Sequence, residues 1–187
     1  MDLRAARTRA EDLDRRDPLA AVRERFSVPD GLVYLDGNSL GALPAAVPAA
    51  VADAVSTQWG RDLITSWNEH DWWAAPRRVG ARLARLIGAG DDEVVVADST
   101  SANLFKVLVA AARLRPERRV LLIEPGNFPA DLYVADSVGE LLGLEVRRVD
   151  PLDVRSRLGE DVAVVSYSQV DYRTGRAYDM PEITRAV

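Results

Sequence analysis

Ser99, Thr100 and Ser101 form a run of small hydroxyl residues between a β-branched stretch (Val94, Val95, Val96) and a helical pattern (Leu104, Val107, Leu108, Ala111). Strand, tight turn and helix start in that order gather side-chain hydroxyls and unpaired backbone N–H groups at the positive end of a helix dipole. An α/β protein holds a phosphate in such a place. The plainer reading is a helix cap, which local sequence favours because Ser and Thr rank high at that position. Two other stretches carry compatible chemistry. Asn127-Phe128-Pro129-Ala130-Asp131 offers a flat ring and a carboxylate, and Ser166-Tyr167-Ser168-Gln169-Val170-Asp171-Tyr172 adds hydroxyls, rings and an acid. Phosphate at Thr100 and Ser101, a ring stacked on Phe128 and the nearby Asp131 would suit a planar phosphorylated cofactor, and pyridoxal phosphate fits that description. A nucleotide fits the same outline, although neither G-x-G-x-x-G after a strand nor G-x-x-x-x-G-K-[ST] is present.

These residues must be positioned by regular elements. Short apolar runs predict strands over 93–97, 119–123, 144–149 and 161–166, separated by helices over 101–114, 130–142 and 151–158. Strict alternation of this kind predicts an α/β fold, a mainly parallel sheet with helices on both faces. Ligands in such folds sit at the carboxyl ends of the strands, so the three polar loops project to one edge. Upstream, residues 3 to 26 read as a helical arm restarted at Asp17-Pro18, Leu32 to Leu35 as a strand, and Asp36-Gly37-Asn38-Ser39-Leu40-Gly41 as a loop. A helix follows from Pro44 to about Trp59. All four tryptophans and the single histidine fall between Trp59 and Trp73, which suggests a pocket wall, an interface or core packing. A helix over 77–87 is stopped by Gly88-Ala89-Gly90. The last segment opens a helix at Met180-Pro181 with no strand after it, so the sheet is expected to be incomplete. The domain expectation is an arm and substrate-side loop over 1–45 and a partial large domain over 46–187.

Composition narrows the partners. The chain has 187 residues and a formal net charge of −5, and its arginine pairs are scattered, which argues against general affinity for nucleic acid or anionic membrane. No cysteine is present, which excludes disulfides, thiolate metal sites and cysteine nucleophiles, and lone His70 excludes a multi-histidine metal site. The most apolar stretch, 42–55, is too short and too interrupted to span a bilayer. With no signal-peptide core at the start, a cytoplasmic location is the expectation. Among the 24 basic residues Lys106 is the only lysine, so any chemistry that needs one has a single candidate.

Four blocks in order carry a resemblance to a known family: Tyr34-Leu35-Asp36-Gly37-Asn38-Ser39-Leu40-Gly41, Asp98-Ser99-Thr100-Ser101-Ala102-Asn103-Leu104, Asn127-Phe128-Pro129-Ala130-Asp131-Leu132-Tyr133, and Ser168-Gln169-Val170-Asp171-Tyr172-Arg173-Thr174-Gly175. The chain resembles the N-terminal portion of kynureninase, a pyridoxal 5'-phosphate enzyme of the fold-type-I aminotransferase superfamily. The resemblance implies that Thr100 and Ser101 bind the phosphate, Phe128 stacks on the pyridine, and Pro129, Ala130 and Asp131 lie beside the cofactor. It also implies that Ser168 contacts the cofactor and that Ser39 and Trp67 line the substrate side. The implied reaction is hydrolysis of L-kynurenine, or its 3-hydroxy form, to anthranilate or 3-hydroxyanthranilate and L-alanine, in a homodimer. Such chemistry needs a lysine that forms a Schiff base and an aspartate that keeps the pyridine nitrogen protonated. Both lie beyond this stretch in the family, as does the C-terminal small domain. Lys106, inside the helix after the phosphate turn, is expected to be a surface charge or salt-bridge partner. The expectations are therefore a kynureninase fragment inactive by itself or, alternatively, a non-catalytic half-domain or another fold-type-I enzyme of desulfurase or aminotransferase type.

Overall fold

The computed structural model describes residues 2–187, which divide into two compact units, one running to Val94 and the other Val95–Val187. In the first unit, α1 (Leu3–Arg16) starts where the Asp2 carboxylate accepts from the Arg4 and Ala5 N–H groups, and it ends with Arg15 and Arg16 favourably placed on the negative end of the dipole. The expected restart at Pro18 yields a 3₁₀ segment, Ala20–Arg25, rather than a second α-helix. The strand expected over 32–35 does not form. A two-residue antiparallel pair, β1 (Phe26–Ser27) with β2 (Leu43–Pro44), brackets that region instead. Tyr34 folds onto the following loop, its hydroxyl donating to the carbonyls of Asp36 at 3.2 Å and Leu40 at 2.5 Å.

The helix expected from Pro44 to Trp59 is α2 (Val47–Asp53), continued as a wider π-helical turn over Ala54–Trp59. Then come the short α3 (Ser66–Glu69) and α4 (Ala75–Ile87), which stops at Gly88 with φ +73°, a left-handed position where glycine has no steric penalty.

The strand expected over 93–97, where the first unit gives way to the second, is not there. Val94 to Ala97 form no strand: β-branched residues favour extended backbone, but a strand exists only where a neighbour supplies the ladder, and none does so among the described residues. From there the alternation is as expected: α5 (Thr100–Arg113), β3 (Val120–Ile123), α6 (Pro129–Leu142), β4 (Glu145–Arg148), a 3₁₀ turn at Pro151–Asp153 leading into α7 (Val154–Arg157), β5 (Val162–Ser166) and α8 (Met180–Ala186). The three strands form a parallel sheet in the order β4-β3-β5.

The central strand explains the core. All four residues of β3 are buried, and they alternate between two apolar clusters, one on each face. Leu121 and Ile123 pack with Leu108 and Ala112 of α5 and with Ala135 and Val138 of α6. Val120 and Leu122 pack with Val154 and Ile183 from α7 and α8. Val162 belongs to the second cluster and Val164 to the first, which a regular period of two would forbid. An irregularity between Val120 and Leu121 resolves this by pairing Val120 with Val162 but Leu121 with Val164.

The direction of the helices follows from their ends. Ala112 and Arg113 at the C-terminal end of α5 line a common cavity with Leu142 of α6 and with Arg119, just before β3. Both 14-residue helices thus finish at the edge where the strands begin, and their N-termini share the edge where β3 and β5 end.

Candidate functional site

At that edge Ser99 caps α5: its backbone is extended and its Oγ accepts from the Ala102 N–H at 3.3 Å. The cap reading therefore holds for Ser99, and it leaves the next two residues free for other work. Thr100 and Ser101 occupy the first turn, and no hydrogen bond engages either hydroxyl among the described residues. The loop before them is pinned by Asn103 Nδ2, which donates to the Ala97 carbonyl at 2.6 Å. Lys106 pairs with Asp98 on the surface.

The loop after β3 supplies the ring and two acids. Phe128 is the N-cap residue of α6, Pro129 is its first helical residue and Asp131 lies in its first turn, where a carboxylate complements the dipole. Ala130 follows Pro129 in that turn, and partial burial raises the Asp131 pKa. Glu124, 5% exposed, accepts from the Ser168 N–H through both carboxylate oxygens at 3.0 Å. Burial is the largest influence on it and raises its pKa against the opposing hydrogen bonds from Ser168.

The loop after β5 closes the far side. The Ser168 hydroxyl donates to Asn127 Oδ1 at 3.2 Å, and the same oxygen accepts from the Phe128 N–H at 2.6 Å. Asp171 organises a turn by accepting from the Thr174 and Arg173 N–H groups, and these bonds lower its pKa. Glu124, Asn127, Phe128, Asp131, Ser168 and Tyr172 line a cleft of about 70 Å³. The structure thus brings Phe128, Asp131 and Ser168 together and puts Thr100 and Ser101 on the same edge of the sheet. Tyr167 is half-buried, its enclosed hydroxyl has no hydrogen-bond partner among the described residues, and burial pushes its pKa up to about 12. Glu124 lies outside the stretches that the sequence points to, and Asn127 lies inside one of them without an expected role of its own. An acid directly after a fully apolar strand is the available signal for Glu124.

Ser39 and Trp67 belong to the first unit. The Ser39 hydroxyl donates to Asp36 Oδ1 at 2.8 Å, which stabilises the Gly-Asn-Ser-Leu-Gly turn. Trp67 meets Trp72 edge to face and Trp73 at a tilt, with centroids 6.1 and 6.2 Å away, and Trp72 Nε1 donates to Gln58 Oε1. Asp62, Glu69 and His70 converge nearby, but the Asp62 carboxylate is already bonded to Arg61 and His70. The first of these bonds, with the second assisting, lowers Asp62 to about 2.

The sequence has clear relatives among known proteins. It is 48% identical over 97% of its length to the kynureninase of Burkholderia mallei strain SAVP1, and 51% identical over 93% to that of Deinococcus radiodurans. Over nearly its whole length this chain is similar to kynureninases. It spans about 45% of the length of those kynureninases. No family model matches it. Among solved structures it is similar to a mutant of the cystine C-S lyase C-DES with glycine covalently linked to its PLP cofactor, at a TM-score of 0.72 and 16% identity over 88% of this chain and 45% of that one. It is also similar to the apo cysteine desulfurase of Thermococcus onnurineus, at 0.67 and 18% over 91% and 44%. At those identities the likeness is one of fold. The likeness to kynureninases rests on the sequence, and the α/β architecture agrees with it. No helix among the described residues is long and apolar enough to cross a membrane.

Proposed function

We propose that this chain supplies the phosphate and ring contacts of a pyridoxal 5'-phosphate site in a kynureninase, which hydrolyses L-kynurenine or its 3-hydroxy form to anthranilate or 3-hydroxyanthranilate and L-alanine. The supporting observation is the edge itself. A 14-residue helix presents two uncommitted hydroxyls at its N-terminus, on the same sheet edge as an exposed ring and a partly buried carboxylate, within a sequence 48% identical to a kynureninase. The donor set fits the cofactor: N–H groups and hydroxyls for a dianionic phosphate, and an aromatic face for a heteroaromatic ring.

When bound, the cofactor supplies an electron sink for the carbon bonded to the substrate's amino group. Thr100 and Ser101 bind phosphate oxygens, and the α5 dipole adds to that attraction. Phe128 stacks on the ring, and its position is fixed because the backbone on either side of it is tied to Asn127 and to α6. Pro129, Ala130 and Asp131 would lie beside the ring, and Ser168 would contact it from the loop after β5. Ser39 and Trp67 serve the substrate side. The lysine the reaction requires is supplied by residues outside this stretch, because Lys106 sits well inside α5 in an ion pair with Asp98. The assembled enzyme is a cytoplasmic homodimer in this reading.

A chimera joining this chain to the remaining half of the Burkholderia kynureninase tests the proposal. Release of anthranilate from L-kynurenine that depends on pyridoxal phosphate is the expected result, read by anthranilate fluorescence. A folded, cofactor-loaded chimera that leaves kynurenine intact would overturn it.

A further inference from the structure

We propose that Glu124 and Asn127 are positioning residues, a buried polar brace that sets the Ser168 hydroxyl and the Phe128 ring relative to each other at the cofactor edge. The proposal rests on reading that edge as the ring-cofactor site. Its basis is where the hydrogen bonds go once the sheet has ended. The last rung of the β3–β5 ladder pairs Ile123 with Ser166. Beyond it, the hydrogen bonds that join the two loops among the described residues run from Ser168 to Glu124 and from Ser168 to Asn127, across 44 and 41 positions of sequence.

Both side chains are buried, at 5% and 6% exposure, in loop backbone where polar residues ordinarily face water. Burying a carboxylate is costly unless it is hydrogen-bonded, and Glu124 meets that cost with the Ser168 N–H on both oxygens. Asn127 Oδ1 takes two donors, the Phe128 N–H and the Ser168 hydroxyl. A single amide oxygen therefore couples the residue that carries the ring to the residue that carries the hydroxyl. This arrangement also fixes polarity. With its proton committed to Asn127, the Ser168 hydroxyl offers a ligand an acceptor and no donor.

A brace of this kind differs from mere loop stabilisation in what it moves. Losing it changes the angle between ring and hydroxyl, and hence the asymmetric environment of a bound cofactor, in a protein that remains folded. Four variants separate the roles: Glu124→Leu and Asn127→Leu remove the acceptors, while Glu124→Gln and Asn127→Asp keep an oxygen in place. Backbone amide exchange at Ser168 and Phe128 is measured without cofactor. Affinity for pyridoxal 5'-phosphate and the induced circular dichroism of its absorption band are measured with it.

The expected result is exchange about tenfold faster or more at Ser168 in Glu124→Leu and at Phe128 in Asn127→Leu. Glu124→Gln should show about a threefold rise at Ser168, because a neutral acceptor binds more weakly than a charged one. The leucine variants should bind the cofactor about tenfold more weakly with an altered dichroic band, and the oxygen-retaining variants should restore most of both. Unchanged exchange in Glu124→Gln overturns the brace even if the leucine variants fail to fold. Leucine variants that fold and bind with wild-type affinity and dichroism overturn the positioning role. A wild-type chain that takes up no pyridoxal phosphate would sink the cofactor reading instead, while amide exchange still decides the brace.

Discussion

Phe128 and Tyr172 meet edge to face across the end of the sheet, their ring centroids 5.2 Å apart and their planes at 67°. One ring follows β3 and the other follows β5, and Phe128 stays about half exposed, at 53%. A ring held by a neighbouring ring and half open to solvent is suited to receive a flat ligand. Replacing Phe128 with Leu keeps the bulk and removes the π-face. Since aromatic pairs contribute about 0.5–1.5 kcal/mol beyond area burial, pyridoxal phosphate should bind about three- to tenfold more weakly, as read by absorbance titration. Unchanged affinity would argue that the cofactor ring does not stack there.

The phosphate assignment has a separable test. Combining Thr100→Val with Ser101→Ala removes two hydroxyls and leaves the Ser99 cap and the backbone N–H groups in place. Affinity for pyridoxal 5'-phosphate should drop by about tenfold, the loss of roughly 1.4 kcal/mol of hydrogen bonding. Affinity for pyridoxal, which lacks the phosphate, should be unaffected. Equal losses for both ligands would place the hydroxyls against some other part of the cofactor.

Gly139 sits where α6 lies against β4. A Cβ there would stand 2.5 Å from Val146 Cγ2 and 3.2 Å from the Leu144 carbonyl oxygen. Because one of those atoms is backbone, relaxation is limited. Gly139→Ala should cost about 1–3 kcal/mol of stability by overpacking, despite the better helix propensity of alanine. A lowered urea midpoint at unchanged slope is the expected signature.

In the first unit Asp62 carries a pH dependence whose sign follows from its hydrogen bonds. The Arg61 hydrogen bonds, with help from His70, lower its pKa from 3.8 to about 2 in the folded chain. A carboxylate with a depressed folded pKa contributes stability above its unfolded pKa and loses it as pH falls through the folded value. Asp62→Asn should therefore narrow the gap to wild type between pH 3.8 and 2, and denaturant titrations at steps across that range should show it. Parallel stability curves would mean that the pair contributes nothing.

Much of the second unit was legible from residue order. Val120 to Ile123 reads as a buried strand because it is apolar without alternation, and Pro129 with Gly143 brackets α6 by chemistry that acts locally. The surface pairing of Lys106 followed from its place inside a helix. Two strands were misread, at 32–35 and 93–97, because β-branched and apolar content reports a preference while a ladder needs a partner that local sequence does not name. Glu124 escaped notice for a related reason. Its importance comes from an N–H group 44 residues away, and no spacing rule links the two.

The sheet order β4-β3-β5 places the earliest strand of the second unit in the middle. One flank of β3 is covered when β4 is made, but the other stays bare until the chain has grown as far as Ser166. At the ~5–20 residues per second of ribosomal synthesis, that is a delay of seconds during which an apolar strand edge is open to any extended neighbour. For this protein, the interval between making Ile123 and making Ser166 is when a folding helper would have the most to protect.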